Sequence, residues 1–216
     1  MAPDDVVVAR AIEASSWARR NSRAIIIALL VLAVAVAAVL YYVSYRRGLQ
    51  DRAAAELIEI RRVASTGDVT NAVLQLDGFL GRFDGTAASN EARLLLGQLQ
   101  LAQGNAPQAI DAVEPLTDEN DPLLSASASL LLAGAQEAAG QTAQAEQTYL
   151  RVAESAEMEF QKREALEDAA RIRAASGNAA GAVELYDRLI GMVEEGSPDR
   201  DVYQMRRAEI MAAQGQ

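Results

Sequence analysis

The chain has 216 residues, half of them apolar and 5% aromatic, and it contains no cysteine and no histidine. These absences exclude a disulfide framework and a thiolate nucleophile, and they remove the commonest general base and metal ligand. The net charge of −10 is unevenly spread, because residues 1–48 carry +3 and residues 49–216 carry −13. A body this acidic repels phosphates, so we expect no nucleic-acid partner.

The composition predicts an all-α fold. Alanine, leucine, glutamate, glutamine and arginine are strong helix formers and dominate the sequence, whereas there are only five prolines. Alternating β-branched runs, which would indicate strands, are nearly absent.

The first predicted helix is a twenty-residue apolar stretch at 24–43, AIIIALLVLAVAVAAVLYYV, without a charge or a proline. At the α-helical rise it spans about 30 Å, the thickness of a bilayer's hydrocarbon core. We therefore predict a short tail at 1–23, a transmembrane helix at 24–45 and a helical repeat domain at 46–216. The residues predicted at the membrane interfaces are Trp17, Arg19, Arg20, Arg23, Tyr41, Tyr42, Tyr45, Arg46 and Arg47.

Two other interpretations of the apolar stretch are a cleaved signal peptide and a buried helix of a soluble bundle. A signal peptide has a shorter apolar region followed by a small-residue cleavage site, whereas here bulky tyrosines follow.

Arginines flank both ends, so the positive-inside rule barely decides the orientation. A short tail before the first apolar segment is typical of an uncleaved signal anchor, which predicts a cytoplasmic N-terminus and an external body.

The region after the anchor repeats with a period of 36 or 37 residues. Four glycines mark the repeat, and an alanine follows five residues after each of them. Larger apolar residues lie nine and twelve positions after each glycine. The residue seven positions before the glycine is small in most of the repeats. The repeat-framework residues are Gly67, Gly104, Gly140 and Gly177, with Ala72, Ala109, Ala145 and Ala182.

This pattern predicts helical hairpins that stack in series. A glycine ends the first helix in a left-handed conformation, and small residues let the paired helices approach closely. The remaining apolar stripe is buried only when pairs stack into a solenoid. We predict first helices near 50–66, 87–103, 122–139, 158–176 and 198–214, and second helices near 68–81, 105–117, 142–156 and 178–194. The anchor either continues through Gly48 into the first of these helices or breaks there.

The period and the glycine–alanine framework resemble the tetratricopeptide repeat (TPR), most clearly in LLLGQLQLAQGNAPQAIDAVEPL at 94–116. The resemblance covers about residues 50–214 and implies a TPR-like α-solenoid of about four and a half helix-turn-helix repeats. The aromatic residue usual in the middle of the first helix is replaced by Val63, Gln100, Gln136 and Arg173. The small residue usual late in the second helix is replaced by Phe79, Leu116, Val152 and Leu189.

An N-terminal anchor followed by a short acidic repeat domain is similar to the bacterial ancillary subunit of the Sec translocon. That family tethers a periplasmic TPR domain to the inner membrane and associates with the translocon and with periplasmic chaperones. The resemblance implies a membrane-anchored interaction scaffold in the bacterial inner membrane, with a periplasmic repeat domain and protein partners. The alternative is a permanent accessory structural subunit of a large membrane complex, such as an energy-transducing assembly.

By the repeat register, the first helices line a groove for an extended peptide or a partner helix. An ordinary solvated helix surface, with Glu167 and Arg171 as an i,i+4 pair, is the competing interpretation. The predicted groove residues are Arg61, Glu91, Gln98, Glu137, Glu164, Glu167 and Arg171.

The sequence predicts no catalytic, cofactor-binding or metal site and no small-molecule substrate. The acidic stretch TDENDP at 117–122 lacks the spaced ligands of a calcium loop and is explained by turns and capping. There is no phosphate loop, dinucleotide glycine pattern or serine elbow. We therefore expect the chain not to be an enzyme.

Overall fold

The structure is a computed structural model that describes residues 21–214. Within this range the chain forms helices joined by turns and short connections, without a strand. The chain divides into two compact units, one that ends at Arg52 and one that begins at Ala53.

Helix α1 spans Ser22–Ser65 and continues through Gly48 without a break. Among the described residues, its segment Leu29–Ser65 is the one stretch long and apolar enough to cross a membrane, judged by length and composition. Large apolar side chains of the first unit are exposed, for example Val34 at 68% and Leu40 at 65%. Such a continuous apolar surface favours an apolar environment over water.

Eight further helices follow α1, which brings the described residues to nine helices, and the predicted all-α solenoid is confirmed. The predicted ends lie within two residues of the observed ends, except at the start of α1 and the end of α4. The bounds are α2 Val69–Phe83, α3 Ala87–Ala102, α4 Ala106–Val113, α5 Pro122–Ala138, α6 Thr142–Ser155, α7 Glu159–Ala175, α8 Ala179–Met192 and α9 Pro198–Gln214.

The helices pack in series rather than around a common interior. From α2 onward each helix packs against the next one in the chain. The first helices α3, α5 and α7 also contact one another across consecutive repeats. Each hairpin therefore buries its apolar stripe against the following hairpin, as stacked repeats require.

Helix α4 ends earlier than its register predicts. It stops at Val113 and gives way to a 3₁₀ turn at Glu114–Leu116. Pro115 lies within this turn, and its missing N–H together with its ring prevents an α-helical bond to the residue four positions earlier. The tighter turn still buries Leu116, which is 1% exposed.

The four repeat glycines have positive φ angles, between 77° and 88°. In the hairpin α3–α4 the N–H of Gly104 donates to the carbonyl of Leu101 at 3.0 Å, and the N–H of Asn105 donates to the carbonyl of Gln100 at 2.8 Å. These two bonds satisfy carbonyls at the helix end and need a left-handed residue between them, which glycine supplies at little cost.

The residue after each glycine caps the second helix in only some repeats. The side chains of Asp68 and Asn178 accept a hydrogen bond from the backbone N–H three residues later. The side chain of Asn105 donates instead to Oε1 of Gln100 at 2.9 Å. Capping thus supports α2 and α8, whereas the amide of Asn105 joins the two helices of its hairpin.

Hydrogen bonds between neighbouring helices occupy two of the positions where TPR sequences usually have an aromatic residue. Gln136 on α5 accepts from Thr148 Oγ1 on α6 at 3.0 Å. Arg173 on α7 donates from Nε to Glu146 on α6 at 2.7 Å, and from Nη1 to the carbonyl of Gly181 on α8. Polar contacts thus stand at these positions in place of an aromatic ring.

The helices of a pair approach most closely where small residues meet. A Cβ atom added at Gly97 of α3 would lie 2.4 Å from Cγ1 of Val113 and 3.2 Å from Cδ2 of Leu131. Both distances are below ordinary van der Waals contact. The residues equivalent to Gly97 in the next two hairpins, Ala133 and Ala170, are fully buried. The framework alanines on the second helices are also fully buried; they are Ala72, Ala109, Ala145 and Ala182.

The larger apolar residues of the repeat fill the space between successive hairpins. None of the residues nine or twelve positions after the repeat glycines is more than 5% exposed. They are Leu76, Val113, Tyr149 and Tyr186 at the first position, and Phe79, Leu116, Val152 and Leu189 at the second.

We predict that Gly97→Ala lowers the free energy of unfolding by about 1–3 kcal/mol, because the added methyl overlaps the buried, β-branched Val113. This loss is the net effect, because the overlap also offsets the gain of about 1 kcal/mol that alanine brings to a helix interior. Gly81→Ala in α2 is the matched control, because a Cβ there meets nothing within 4 Å, and it should be neutral or stabilising. Urea denaturation followed by circular dichroism measures both. A Gly97→Ala variant as stable as Gly81→Ala would contradict the close approach.

Candidate partner-binding groove

An open cleft lies between α7 and α9, on the side of the second unit formed by first helices. Its volume of about 660 Å³ is in the range of protein ligand sites. We call this cleft the α7–α9 groove. It is lined by Phe160, Arg163, Glu164, Glu167, Asp168, Arg171, Ala174, Tyr186, Asp199, Tyr203, Arg206, Glu209 and Ile210.

Two tyrosines form the floor of the groove. Tyr186 on α8 is 5% exposed and Tyr203 on α9 is 7% exposed. Their ring centroids lie 6.4 Å apart, with 45° between the planes, which is a favourable aromatic pair geometry. Burial raises the pKa of both hydroxyls, and the nearby carboxylate of Glu167 raises it further. Both hydroxyls are therefore protonated at neutral pH and can donate hydrogen bonds.

Each of the three arginines lining the groove is paired with a carboxylate that also lines it. Two of the pairs each lie within one helix, the first on α7 and the second on α9, and the third pair joins α7 to α9 across the groove. The pairs are Arg171–Asp168 at 2.8 Å, Arg206–Glu209 at 3.1 Å and, across the groove, Arg163–Asp199 at 2.9 Å.

Arg171 also links the first helices of two consecutive repeats. Its Nη1 and Nη2 donate to Oε1 and Oε2 of Glu137 on α5, at 2.5 and 2.8 Å. These hydrogen bonds lower the pKa of Glu137 below its ordinary value, although partial burial opposes the effect. A bidentate pair of this kind fixes the guanidinium plane.

Arg171 does not form the i,i+4 pair with Glu167 that the helical spacing suggests. Arg171 bonds to Glu137 and to Asp168, three positions earlier on its own helix. The guanidinium extends toward the neighbouring first helix, where both Nη atoms find acceptors. Helical spacing alone does not report the position of that neighbour.

Two carboxylates of the groove are left without a partner within the described residues. Neither Glu164 nor Glu167 takes part in a hydrogen bond or ion pair there. Partial burial raises the pKa of Glu164, and the charges of Asp168 and Glu167 raise it further. The groove thus holds negative charge that its own cations do not neutralise.

The seven predicted groove residues do not form one cluster. Glu164, Glu167 and Arg171 line the α7–α9 groove, and Glu137 is joined to it through Arg171. The others lie on earlier helices of the second unit. Arg61 on α1 and Glu91 on α3 form an ion pair at 2.5 Å, and Gln98 is exposed on α3.

The sequence interpretation missed the aromatic and cationic part of the groove. Phe160, Arg163, Tyr203 and Arg206 line the groove and are not among the predicted groove residues, and neither is Asp199, which pairs with Arg163. Tyr203 and Arg206 lie on α9, beyond the last of the four repeat glycines, so the glycine spacing does not place them beside α7. Their proximity follows from the stacking of α9 on α8, which places it beside α7.

The residues predicted at the membrane interfaces belong to the first unit. Trp17, Arg19 and Arg20 lie outside the described residues. The ring of Tyr42 lies 5.8 Å from the guanidinium carbon of Arg46, a cation–π distance. The others within α1 are Arg23, Arg47, Tyr41 and Tyr45, and both of these tyrosines are exposed.

The described residues hold no cluster of three or more acidic side chains arranged to bind a metal ion. The side chains of the α7–α9 groove are mostly arranged as ion pairs over an aromatic floor. Such an arrangement offers hydrogen bonds, charge and apolar contact to a ligand.

The sequence matches the tetratricopeptide repeat-like domain family over residues 15–212. The chain therefore belongs to the tetratricopeptide repeat-like family. This fold is typically a non-catalytic scaffold for protein–protein interaction. A comparison with proteins of curated function found no match.

Two solved structures resemble the fold. Both are crystal structures of nearly identical TPR-like repeats from a putative kinesin light chain of Podosopora anserina, and one of them carries a single substitution. Each has a TM-score of 0.60 and 19% sequence identity, and each match covers 77% of this chain and 88% of the other. At this identity the likeness concerns the fold alone.

We predict that Glu164→Gln raises the melting temperature at pH 7. The folded-state pKa of Glu164 is raised by burial and by Asp168 and Glu167, so ionisation of this carboxyl favours the unfolded chain. The stability associated with its protonated form is complete below the unfolded-state pKa and is lost as the pH rises through the folded-state pKa. The advantage of glutamine should therefore vanish at about pH 3.5, where wild-type Glu164 is protonated.

Thermal unfolding at both pH values tests this prediction, with Glu154→Gln on the exposed side of α6 as the control. The control variant should match the wild-type melting temperature at pH 7 within about 2 °C. A Glu164→Gln variant with a lower melting temperature at pH 7 would show that its carboxylate stabilises the fold.

Proposed function

We propose that the chain is a membrane-tethered, non-enzymatic scaffold that holds partner proteins next to machinery of a bacterial inner membrane. Four features support this proposal: the apolar span of α1, the arginines and tyrosines that flank it, the TPR-like solenoid, and the groove between α7 and α9. The presence of an apolar span and a repeat domain in one chain carries the proposal most directly.

Tethering supplies the mechanism. A partner bound to an anchored solenoid is confined near the membrane, so its encounter with membrane machinery becomes effectively intramolecular. Effective concentrations for flexible short tethers are on the order of millimolar. Even weak contacts at the solenoid are then sufficient for recruitment.

The proposed topology has the N-terminus in the cytoplasm and the repeat domain in the periplasm. Bulky tyrosines rather than a small-residue cleavage site end the apolar stretch, which favours an uncleaved anchor, and long domains cross the membrane largely regardless of their charge. The acidic body, with −13 over residues 49–216, is therefore compatible with export. The translocon and periplasmic chaperones are the partners that the architecture favours.

Protease added to intact spheroplasts is expected to degrade the repeat domain without lysis. The fragment left in the membrane should be about the size of the first unit, because the second unit begins at Ala53. Antibody detection of a tag on each terminus follows both fragments, and a cytoplasmic protein reports lysis. Protection of the repeat domain until lysis would place it in the cytoplasm and contradict the proposed topology.

A pull-down with an exchanged anchor separates the scaffold from a permanent accessory subunit. Residues 24–43 are replaced by an unrelated twenty-residue apolar span, so that tethering is kept and specific helix packing is lost. A scaffold that recruits through its solenoid should retain its partners, whereas a subunit that packs through its anchor should lose them. Mass spectrometry of the recovered complexes identifies the partners, and recovery of none with the native anchor would contradict both functions.

A further inference from the structure

We propose that the α7–α9 groove binds a partner segment that carries arginine or lysine beside an aliphatic or aromatic side chain. This inference rests on the proposed scaffold function and names the chemistry of the segment that the scaffold recognises. It is carried by the charge balance of the groove, by its aromatic surface and by its size.

The charge balance favours a cationic segment. Five carboxylates and three guanidinium groups line the groove, which leaves a net charge of −2. The guanidinium groups are all held in ion pairs with three of those carboxylates. The carboxylates of Glu164 and Glu167 are the two that stay without a partner among the described residues, so they can accept charge-assisted hydrogen bonds from a ligand.

An anionic ligand does not fit this arrangement. It would have to approach Glu164 and Glu167 and compete with Asp168, Asp199 and Glu209 for arginines that are already paired. The second unit as a whole has thirteen basic and twenty-six acidic residues, so its long-range field also repels anions. Phosphate-rich surfaces, including anionic lipid headgroups, are therefore poor occupants.

The groove also has an apolar part, so we expect its ligand to carry an apolar side chain beside the cationic one. Phe160 at the start of α7 is 54% exposed, so its ring can cover an apolar side chain of the ligand. Tyr186, Tyr203 and Ile210 also line the groove and add to its apolar lining. Arginine and lysine suit such a surface, because their stems pack on rings while their charged ends reach carboxylates.

The size of the groove sets the length of the recognised segment. A volume of about 660 Å³ holds a few side chains rather than a domain. The groove is open along the gap between α7 and α9, so the chain of the ligand can enter and leave it without reorganising the helices. A short linear segment of a partner therefore fits better than a folded surface.

Two peptides test the chemistry directly. One is a fluorescein-labelled twelve-residue peptide in which arginine and leucine alternate with serine and glycine, and the other has glutamate in place of arginine. Fluorescence anisotropy with the detergent-solubilised full-length chain should show saturable binding of the first peptide and none of the second. Equal binding of both peptides, or no saturable binding of the arginine peptide, would overturn the proposal.

Matched variants separate the groove from the general acidity of the chain. Glu164→Gln/Glu167→Gln removes the two unpartnered carboxylates, while Glu154→Gln/Glu157→Gln removes the same charge from exposed positions that do not line the groove. The groove variant should weaken the arginine peptide about tenfold, as expected for loss of charge-assisted contacts, and the control less than twofold. Equal weakening by both variants would show non-specific attraction and overturn the proposal.

The exposed phenylalanine provides an independent readout of the apolar contact. Phe160→Ser should weaken the arginine peptide about threefold or more, because it removes an exposed ring that would cover the ligand's leucine. An unchanged affinity would exclude Phe160 from the contact and overturn the apolar part of the proposal. Circular dichroism and thermal unfolding of each variant confirm that the comparison is made between folded proteins.

The pull-down distinguishes failure of this inference from failure of the scaffold function. If the full-length chain recovers partners and Glu164→Gln/Glu167→Gln loses them, both proposals are supported. If both proteins recover the same partners, the scaffold function stands and the groove inference is overturned.

Discussion

The close approach of paired helices is the constraint on which the second unit depends. At Gly97 the space for a Cβ atom is already taken by Val113, and alanines occupy the equivalent positions in the next two hairpins. Because these side chains are so small, each hairpin is thin and its larger apolar residues face the next hairpin. Serial packing follows, with the first helices side by side. The groove exists because α9 continues this stacking beyond α8.

Polar side chains make the surface formed by the first helices differ from one repeat to the next. The ion pair between Arg61 and Glu91 joins first helices near the beginning of the second unit, and Arg171 joins Glu137 in the same manner further along. Exposed ion pairs add little stability individually. Their larger effect here is to decide which charges remain for a ligand, and at the α7–α9 groove those charges are Glu164 and Glu167.

The charge of Glu164 would favour binding of a cation in the groove, but it lowers the stability of the fold when the groove is empty. Partial burial and two neighbouring carboxylates raise the pKa of Glu164, so its charge costs stability when the groove is empty. A cation bound there would relieve this cost, and binding would stabilise the fold by mass action. A site that is unfavourable alone and favourable when occupied is expected of a recognition surface rather than of a structural ion pair.

The repeat period determined the fold from sequence, because glycine spacing and apolar register are local properties of the chain. Positive φ at Gly104 and burial of Tyr186 follow directly from their positions in the repeat.

The site was only partly predictable. Glu164, Glu167 and Arg171 are predicted because the repeat register puts them on the groove-facing side of a first helix, and all three line the α7–α9 groove. The pairing of Arg171 with Glu137 and the meeting of Tyr203 with Tyr186 were decided by tertiary structure. Both contacts join different helices, and their geometry depends on how successive hairpins stack, which no local sequence pattern encodes.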